Sequence, residues 1–297
     1  MAVTSGPNEL IDPTGRRQPL LRIFITPAAI CAMIYVGAMM MILQFSVREF
    51  IPGSLIPGGL TLANFTALLK PLYGHVFLNT LWICFLTAST TLIVGYPLAY
   101  ALVHVRHPLM KSAILIIVIT PLFLGEVVRT YSWIIVFGNT GFINSILMGL
   151  SLVEQPVQFM FTTFAVVVAL VHVTIPIMVI MLATALAHID RSYVKAAESL
   201  GARPIRAFLT ITLPLSLPGI IAGFTTAFAW TFSAFATPQL IGGGRVNMVS
   251  NLVYQLGFAS FNFPFAASLC LTALILTVAV LALLRIAVRP IEKIGPY

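Results

Sequence analysis

The chain has 297 residues and a mean hydropathy of +1.03; 59% of its residues are hydrophobic and only 8% are charged. This composition excludes a soluble globular fold, in which about a quarter of the residues are charged. Apolar runs of about 20 residues recur, and each is long enough to cross the hydrocarbon core of a bilayer. We therefore predict an all-α polytopic membrane protein, because a membrane barrel would show short alternating segments instead.

The formal net charge of +8 would suggest a nucleic-acid partner in a soluble protein. In a membrane protein it is better explained by topology, because basic residues are retained on the cytoplasmic side. We therefore expect contact with membrane lipid and no nucleic-acid partner. Cys31, Cys84 and Cys270 lie singly in apolar runs without disulfide or metal spacing, so we predict that they are small core residues.

Six apolar segments are the predicted membrane spans, at 23–45, 76–103, 112–128, 159–187, 215–236 and 264–288. Residues 1–22 form a polar tail. Its Arg16-Arg17 pair is similar to an export signal, but the run that follows is too long for a signal core, so we treat that run as an uncleaved anchor. The predicted organisation is a tail (1–22), a first span with an extracytoplasmic connector (23–75), the main transmembrane domain (76–289) and a second tail (290–297).

The distribution of basic residues predicts the orientation of these spans. Six spans place both termini on one side, and segments 138–158 and 237–263 are then outer loops, the first of them loop or re-entrant. Of the 16 basic residues, 12 fall on the side of the termini and 4 on the other, which predicts cytoplasmic termini. The four outer ones are Arg48, Lys70, Arg129 and Arg245.

The most charged stretch is the loop 188–214, between the fourth and fifth spans. Asp190 or Ser192 can cap a short helix, Gly201 can end it in the left-handed conformation, and Pro204 can begin a second helix. One helix face is apolar, whereas Arg191, Lys195 and Glu198 lie on the opposite face. Periodicity leaves two interpretations open, a loop that rests on the bilayer surface and a docking element for a partner protein.

The loop resembles the signature loop of the permeases of binding-protein-dependent ABC importers. That pattern is Glu-Ala-Ala, three residues, Gly, nine residues, Ile, one residue and Leu-Pro. Here Ala196-Ala197 is followed at the same spacing by Gly201, Ile211 and Leu213-Pro214, while Lys195 replaces the glutamate. The replacement removes any ion pair that the glutamate would make and leaves the spacing from Ala-Ala to Gly unchanged.

The resemblance extends from about Tyr73 to Arg289 and is strongest to permeases of the spermidine/putrescine type. It is carried by Phe77-Leu78-Asn79-Thr80-Leu81-Trp82, Gly95-Tyr96-Pro97-Leu98-Ala99-Tyr100, Val128-Arg129-Thr130-Tyr131-Ser132-Trp133, Gly141-Phe142-Ile143-Asn144 and Pro238-Gln239-Leu240-Ile241-Gly242-Gly243. Relatives of this kind also carry opines, thiamine, ferric ions or phosphonates, so the solute stays open.

The resemblance implies a type I ABC importer permease fold in the bacterial inner membrane. It also implies a second permease subunit, identical or homologous, two cytoplasmic ATPase subunits and an extracytoplasmic solute-binding protein. The ATPase-coupling loop would be formed by Lys195, Ala196, Ala197, Glu198, Leu200, Gly201 and Arg203. Arg203 and Arg206 are explained equally well by contact with anionic lipid headgroups.

No cofactor is expected on this chain. ATP and Mg²⁺ would be held by the partner ATPase, because the sequence contains no phosphate-binding Gly-x-x-x-x-Gly-Lys-Ser/Thr loop. Neither metal-binding histidine clusters nor paired catalytic residues occur at suitable spacing, which argues against an intramembrane enzyme. An ion-coupled secondary transporter would be expected to show internal repeats and midplane polar groups; a purely structural scaffold would not carry the signature spacing.

Five residues are candidates for the substrate pathway, namely Glu126, Arg129, Tyr131, Trp133 and Trp230. Glu126 is a carboxylate in a predicted span and is suited to a polyamine cation, although it could simply pair with Arg129 on the same helix face. The aromatic residues could enclose an ammonium group, but interfacial anchoring or helix packing explains them as well. His172 is predicted to be a packing histidine rather than a proton relay.

Overall fold

The computed structural model describes residues 17–54 and 56–292, and the side-chain surroundings of residues 25–54 and 56–286. The predicted tails 1–22 and 290–297 therefore lie outside the described side chains. The helices are α1 Arg17–Ser46, α2 Ala63–Leu68, α3 Pro71–His104, α4 Pro108–Phe123, α5 Glu126–Phe137, α6 Phe142–Gly149, α7 Thr163–Ala187, α8 Arg191–Ser199, α9 Pro204–Ala207, α10 Leu213–Leu215, α11 Leu217–Ser233, α12 Ala236–Gly242, α13 Val249–Tyr254 and α14 Phe263–Glu292. Segments Phe208–Thr212 and Gln255–Ala259 are π-helical.

Within the described residues, five helical segments are long and apolar enough to cross a membrane. They are Ile25–Ser46, Pro71–His104, Glu126–Gly149, Thr163–Ala187 and Phe263–Ile286. The helical stretches Pro204–Leu215 and Leu217–Ser233 meet at an angle of 63° and give a sixth span if they are taken together. The all-α class with up to six spans is therefore confirmed.

The predicted third span, 112–128, is wrong. Helix α4 ends at Phe123 after 16 residues, and a new helix, α5, begins at Glu126. Sixteen residues rise only about 24 Å, less than the roughly 30 Å hydrocarbon core. The apolar segment of spanning length is Glu126–Gly149, so α6 lies where a loop or re-entrant segment was expected.

The core is a packed bundle of α3, α7 and α11. Small residues allow the helices to approach closely, as is usual inside membranes. A side chain at Gly219 would collide with Ala185, and one at Gly95 would press on Met178. Thr91 and Thr174 add a buried hydrogen bond of 2.7 Å between α3 and α7. Helix α1 lies outside this bundle and packs against α14.

The cysteine prediction is correct for Cys84, which is fully buried in the core. It is wrong for Cys31, which is exposed on α1, because α1 covers little of the bundle. Cys270 is half-buried in α14.

Arg129 fixes the break between α4 and α5. Its Nη1 donates to the carbonyl oxygens of Pro121 at 2.8 Å and Leu124 at 3.2 Å. These carbonyls lie in the last turn of α4, where backbone acceptors lose their helical partners. The Arg129 side chain is buried, so its guanidinium supplies the hydrogen bonds that water would give to these carbonyls at an exposed helix end.

We expect Arg129→Met to lower the midpoint of thermal unfolding by several degrees. Methionine has a similar length but no donor, and each buried carbonyl left without a partner costs about 1–3 kcal/mol. Arg129→Lys should lose less, since its ammonium retains donors. Thermal unfolding of the purified complex measures the effect, with Glu126→Gln as the control because Glu126 is exposed. A wild-type midpoint for Arg129→Met would contradict this role.

Candidate functional site

The loop helix α8 begins at a cap that the sequence predicts. Asp190 has extended backbone angles, and its Oδ1 accepts a hydrogen bond of 2.8 Å from the backbone N–H of Ser192. This bond holds the pKa of the Asp190 carboxyl below its ordinary value. The start of α8 is therefore fixed by a local interaction.

The end of α8 is fixed by Gly201, which has φ +88°. Its N–H bonds to Glu198 O at 2.9 Å, and the N–H of Ala202 bonds to Ala197 O at 3.0 Å. This pair of bonds is a Schellman motif, which needs a left-handed residue after the helix and favours glycine there. The predicted turn is thus present, and the chain leaves it to begin α9 at Pro204.

The predicted coupling residues lie together on the surface. Ala197 is half-buried, whereas the others are exposed: Lys195, Ala196, Glu198, Leu200, Gly201 and Arg203. Leu200 is 90% exposed, and Ile205, just past the turn, is 75% exposed. Ile189 instead packs on the core. We call the exposed apolar pair Leu200 and Ile205 the loop tip.

Aromatic contacts, which the sequence reading missed, join the loop to the spans. The ring of Phe208 meets the rings of Tyr96 and Tyr100 of α3 edge-on, at 5.6 and 5.7 Å between centroids. The Tyr96 hydroxyl also lies 2.9 Å from the Ser216 hydroxyl, at the bend before α11. These contacts leave no local pattern around Gly95-Tyr96-Pro97, because their partners lie more than 100 residues further along the chain.

A second feature is a cavity of about 270 Å³ between α4, α5, α7 and α11, which we call the mid-bundle cavity. Three of the five predicted pathway residues line it, namely Glu126, Arg129 and Trp230. Glu126 is the first residue of α5 and is exposed, and Trp230 is about half exposed. The cavity therefore combines a carboxylate, an aromatic face and a guanidinium.

Glu126 and Arg129 do not form the ion pair that the sequence allowed, as judged from the described side chains. Arg129 is turned to main-chain carbonyls instead, and its Nε is buried without a hydrogen-bond partner. The Glu126 carboxylate is thereby left available to a ligand.

The other two aromatic candidates lie elsewhere. Trp133 stacks on Phe137 at 5.0 Å, and its Nε1 donates to His172 Nδ1 at 3.3 Å. His172 accordingly has a packing partner, as predicted. Tyr131 is exposed and does not line the mid-bundle cavity.

Comparison with known proteins gives a family and many curated relatives, two of which follow. The chain is 31% identical over 212 residues to the spermidine/putrescine transport system permease protein PotB of Escherichia coli, covering 71% of this chain and 77% of that one. It is 29% identical, over 71% of this chain and 73% of the other, to PhnU of Salmonella choleraesuis, a protein named for 2-aminoethylphosphonate transport.

The fold is shared with a chain of the bacterial alginate ABC transporter crystallised with its pentasaccharide-bound periplasmic protein. The TM-score is 0.76 at 18% identity, and the match covers 94% of this chain and 96% of that one. The family model for inner membrane components of binding-protein-dependent transport systems matches residues 92–292. The chain therefore belongs to that family: it is a multi-pass inner-membrane permease subunit of an ABC importer and not itself an enzyme, ATP being hydrolysed by separate ATPase subunits.

Proposed function

We propose that the loop 188–214 is the cytoplasmic docking element through which an ATPase drives this permease. The observation that carries the proposal is the loop tip: two large apolar side chains, Leu200 and Ile205, project into solvent beside a rigid Gly201 turn. Two large apolar side chains that are 90% and 75% exposed outside the membrane-spanning helices fit a protein interface. This arrangement favours docking to a protein over adsorption to the bilayer surface, because α8 exposes the charged residues Lys195 and Glu198.

The proposed orientation places both termini and this loop in the cytoplasm, because most of the 16 basic residues then fall on that side. The proposed assembly contains a second permease, identical or homologous, two ATPase subunits that bind ATP and Mg²⁺, and an extracytoplasmic solute-binding protein. Residues 76–289 form the transmembrane domain of this assembly.

Movement of the loop has a direct route into the bundle. α8 is capped at both ends and can move as a unit, and Phe208 ties the segment after it to Tyr96 and Tyr100 of α3. Ser216, which contacts Tyr96, lies at the 63° bend that leads into α11. Since α11 lines the mid-bundle cavity with Trp230, a shift of the loop would change the shape of that cavity.

The proposed solute is a polyamine, in line with the spermidine/putrescine relatives. The Glu126 carboxylate supplies a counter-charge for an ammonium group, and the indole of Trp230 supplies a face on which a cation can rest. Both line the mid-bundle cavity.

A second candidate is a zwitterion such as 2-aminoethylphosphonate. The specific observation in its favour is Arg129, which lines the same cavity as Glu126 and has a buried Nε without a partner. A molecule with one ammonium and one phosphonate group would find both opposite charges there. Competition between spermidine and 2-aminoethylphosphonate for the partner binding protein separates the two candidates.

The docking proposal predicts that Leu200→Ser weakens capture of the ATPase at least about fivefold. Removal of an apolar anchor at an interface centre costs more than about 1 kcal/mol. Because Leu200 makes little contact within the permease, its insertion and stability should be unchanged. The measurement is the amount of ATPase that co-purifies with the tagged permease.

The matched control for this experiment is Leu152→Ser, the same change at an exposed leucine of the predicted outer loop. It should leave ATPase capture at the wild-type level. Equal ATPase capture by Leu200→Ser and wild type would refute the docking role. Reduced ATPase capture by Leu152→Ser but not by Leu200→Ser would indicate the opposite orientation in the membrane.

The polyamine proposal predicts that Glu126→Gln reduces spermidine uptake about two- to fivefold at subsaturating solute. That range corresponds to the loss of one exposed ion pair worth about 0.5–1 kcal/mol. Uptake is measured in proteoliposomes with the complete importer, ATP inside and loaded binding protein outside. Glu154→Gln, at an exposed carboxylate that does not line the cavity, is the control. Wild-type uptake by Glu126→Gln would remove Glu126 from the pathway.

A further inference from the structure

A larger cavity, of about 450 Å³, lies beside the loop helix and is separate from the mid-bundle cavity. It is open on one side and is lined by the ends of α3 and α7, the start of α4 and part of α8. Its basic lining residues come from three of these elements: His104 from α3, Lys111 from α4 and Arg191 from α8. We call it the basal cavity.

The basal cavity carries positive charge without compensation. Two permanent cations and one imidazole line it, and no carboxylate does so among the described side chains. Asp190, the acidic residue nearest in sequence, is held by the Ser192 N–H at 2.8 Å at the start of α8. A ligand that enters this cavity therefore meets an anion-attracting surface.

Backbone carbonyls near the helix ends could offset this positive charge, but they already accept hydrogen bonds from side chains. Arg191 Nη2 bonds to Val103 O at 3.3 Å, near the end of α3. His104 Nδ1 lies 2.9 Å from Tyr100 O, and His188 Nδ1 lies 2.7 Å from Thr184 O. Since a guanidinium has five N–H donors and Arg191 uses one on Val103, others remain for a ligand.

The remaining walls are aliphatic and come from the ends of the spans α3 and α7, from α4 and from the loop helix α8. Leu102, Leu115, Leu186 and Val194 are among them. Basic groups at the rim of an apolar recess, at the depth where spans end, match the two chemical parts of a phospholipid, an anionic phosphate and an acyl chain. Free phosphate would use only the basic groups and would leave the aliphatic walls without a partner.

We propose that the basal cavity binds the headgroup phosphate of an anionic phospholipid of the cytoplasmic leaflet, with Lys111 and Arg191 on the phosphate and the acyl chain along the aliphatic wall. The occupant bridges α4 and α8, and so steadies the loop helix against the bundle. The proposal rests on the orientation given under the proposed function, but it is independent of the solute that is carried.

The test is lipid retention by the complete purified importer, measured by native mass spectrometry after equal exposure to phosphatidylglycerol and phosphatidylcholine. Wild type should retain phosphatidylglycerol preferentially. Lys111→Gln should weaken that retention about fivefold, as expected for one cation near a lipid surface, and Arg191→Gln should do the same. The matched control is Arg106→Gln, which removes the same charge from the exposed turn between α3 and α4 but does not line the cavity; its retention should equal that of wild type.

Three results would overturn the proposal: equal retention of the two lipids by wild type, equal loss in Arg106→Gln and Lys111→Gln, and displacement of the lipid by millimolar inorganic phosphate, which would assign the site to a free anion. Retention is read without transport or hydrolysis, so it can fail while Leu200→Ser still weakens ATPase capture. The two proposals are therefore refuted by different measurements.

Discussion

The free backbone groups at a helix end need hydrogen-bond partners, and within the hydrocarbon core the protein itself must supply them because lipid tails cannot. Several polar groups of this largely apolar chain fill that need. Arg129 serves the last turn of α4, Arg191 serves a carbonyl near the end of α3, and the backbone of Gly201 and Ala202 serves α8. Each of these points is also a place where the chain changes direction, so the breaks in the bundle and its functional features coincide.

The loop and the bundle are linked by a small number of contacts with defined geometry. Phe208 rests between two tyrosines of α3, while Ser216 shares a hydrogen bond with Tyr96 at the bend into α11. Aromatic edge contacts and one hydroxyl pair resist separation but allow tilting, whereas the glycine-lined contact between α7 and α11 is close and rigid. Displacement at the loop is therefore expected to be taken up at the bend rather than in the core.

The sequence predicts those features of the structure that depend on interactions between neighbouring residues. Asp190, Gly201 and Pro204 act on their immediate neighbours, and the limits of α8 were predicted within a residue or two. The boundary between α4 and α5 was missed because residues 112–128 are almost uniformly apolar, and the break depends on where the side chain of Arg129 folds back. The same limit applies to the candidate site: nothing in the sequence around Trp133 and Trp230 tells which one contacts His172 and which one lines a cavity, because that depends on how distant helices pack.

The exposure of Glu126 has a consequence for transport. An importer must hold its solute long enough to exchange it between the two sides and then release it, so deep burial of a matched charge pair would slow the cycle. An exposed carboxylate contributes on the order of 1 kcal/mol or less to binding a cation. Arg129, buried three residues away and engaged with the backbone, keeps the cavity from becoming strongly acidic. Such a site binds a cation weakly enough to release it during transport. Tight and selective binding is then left to the partner that delivers the solute.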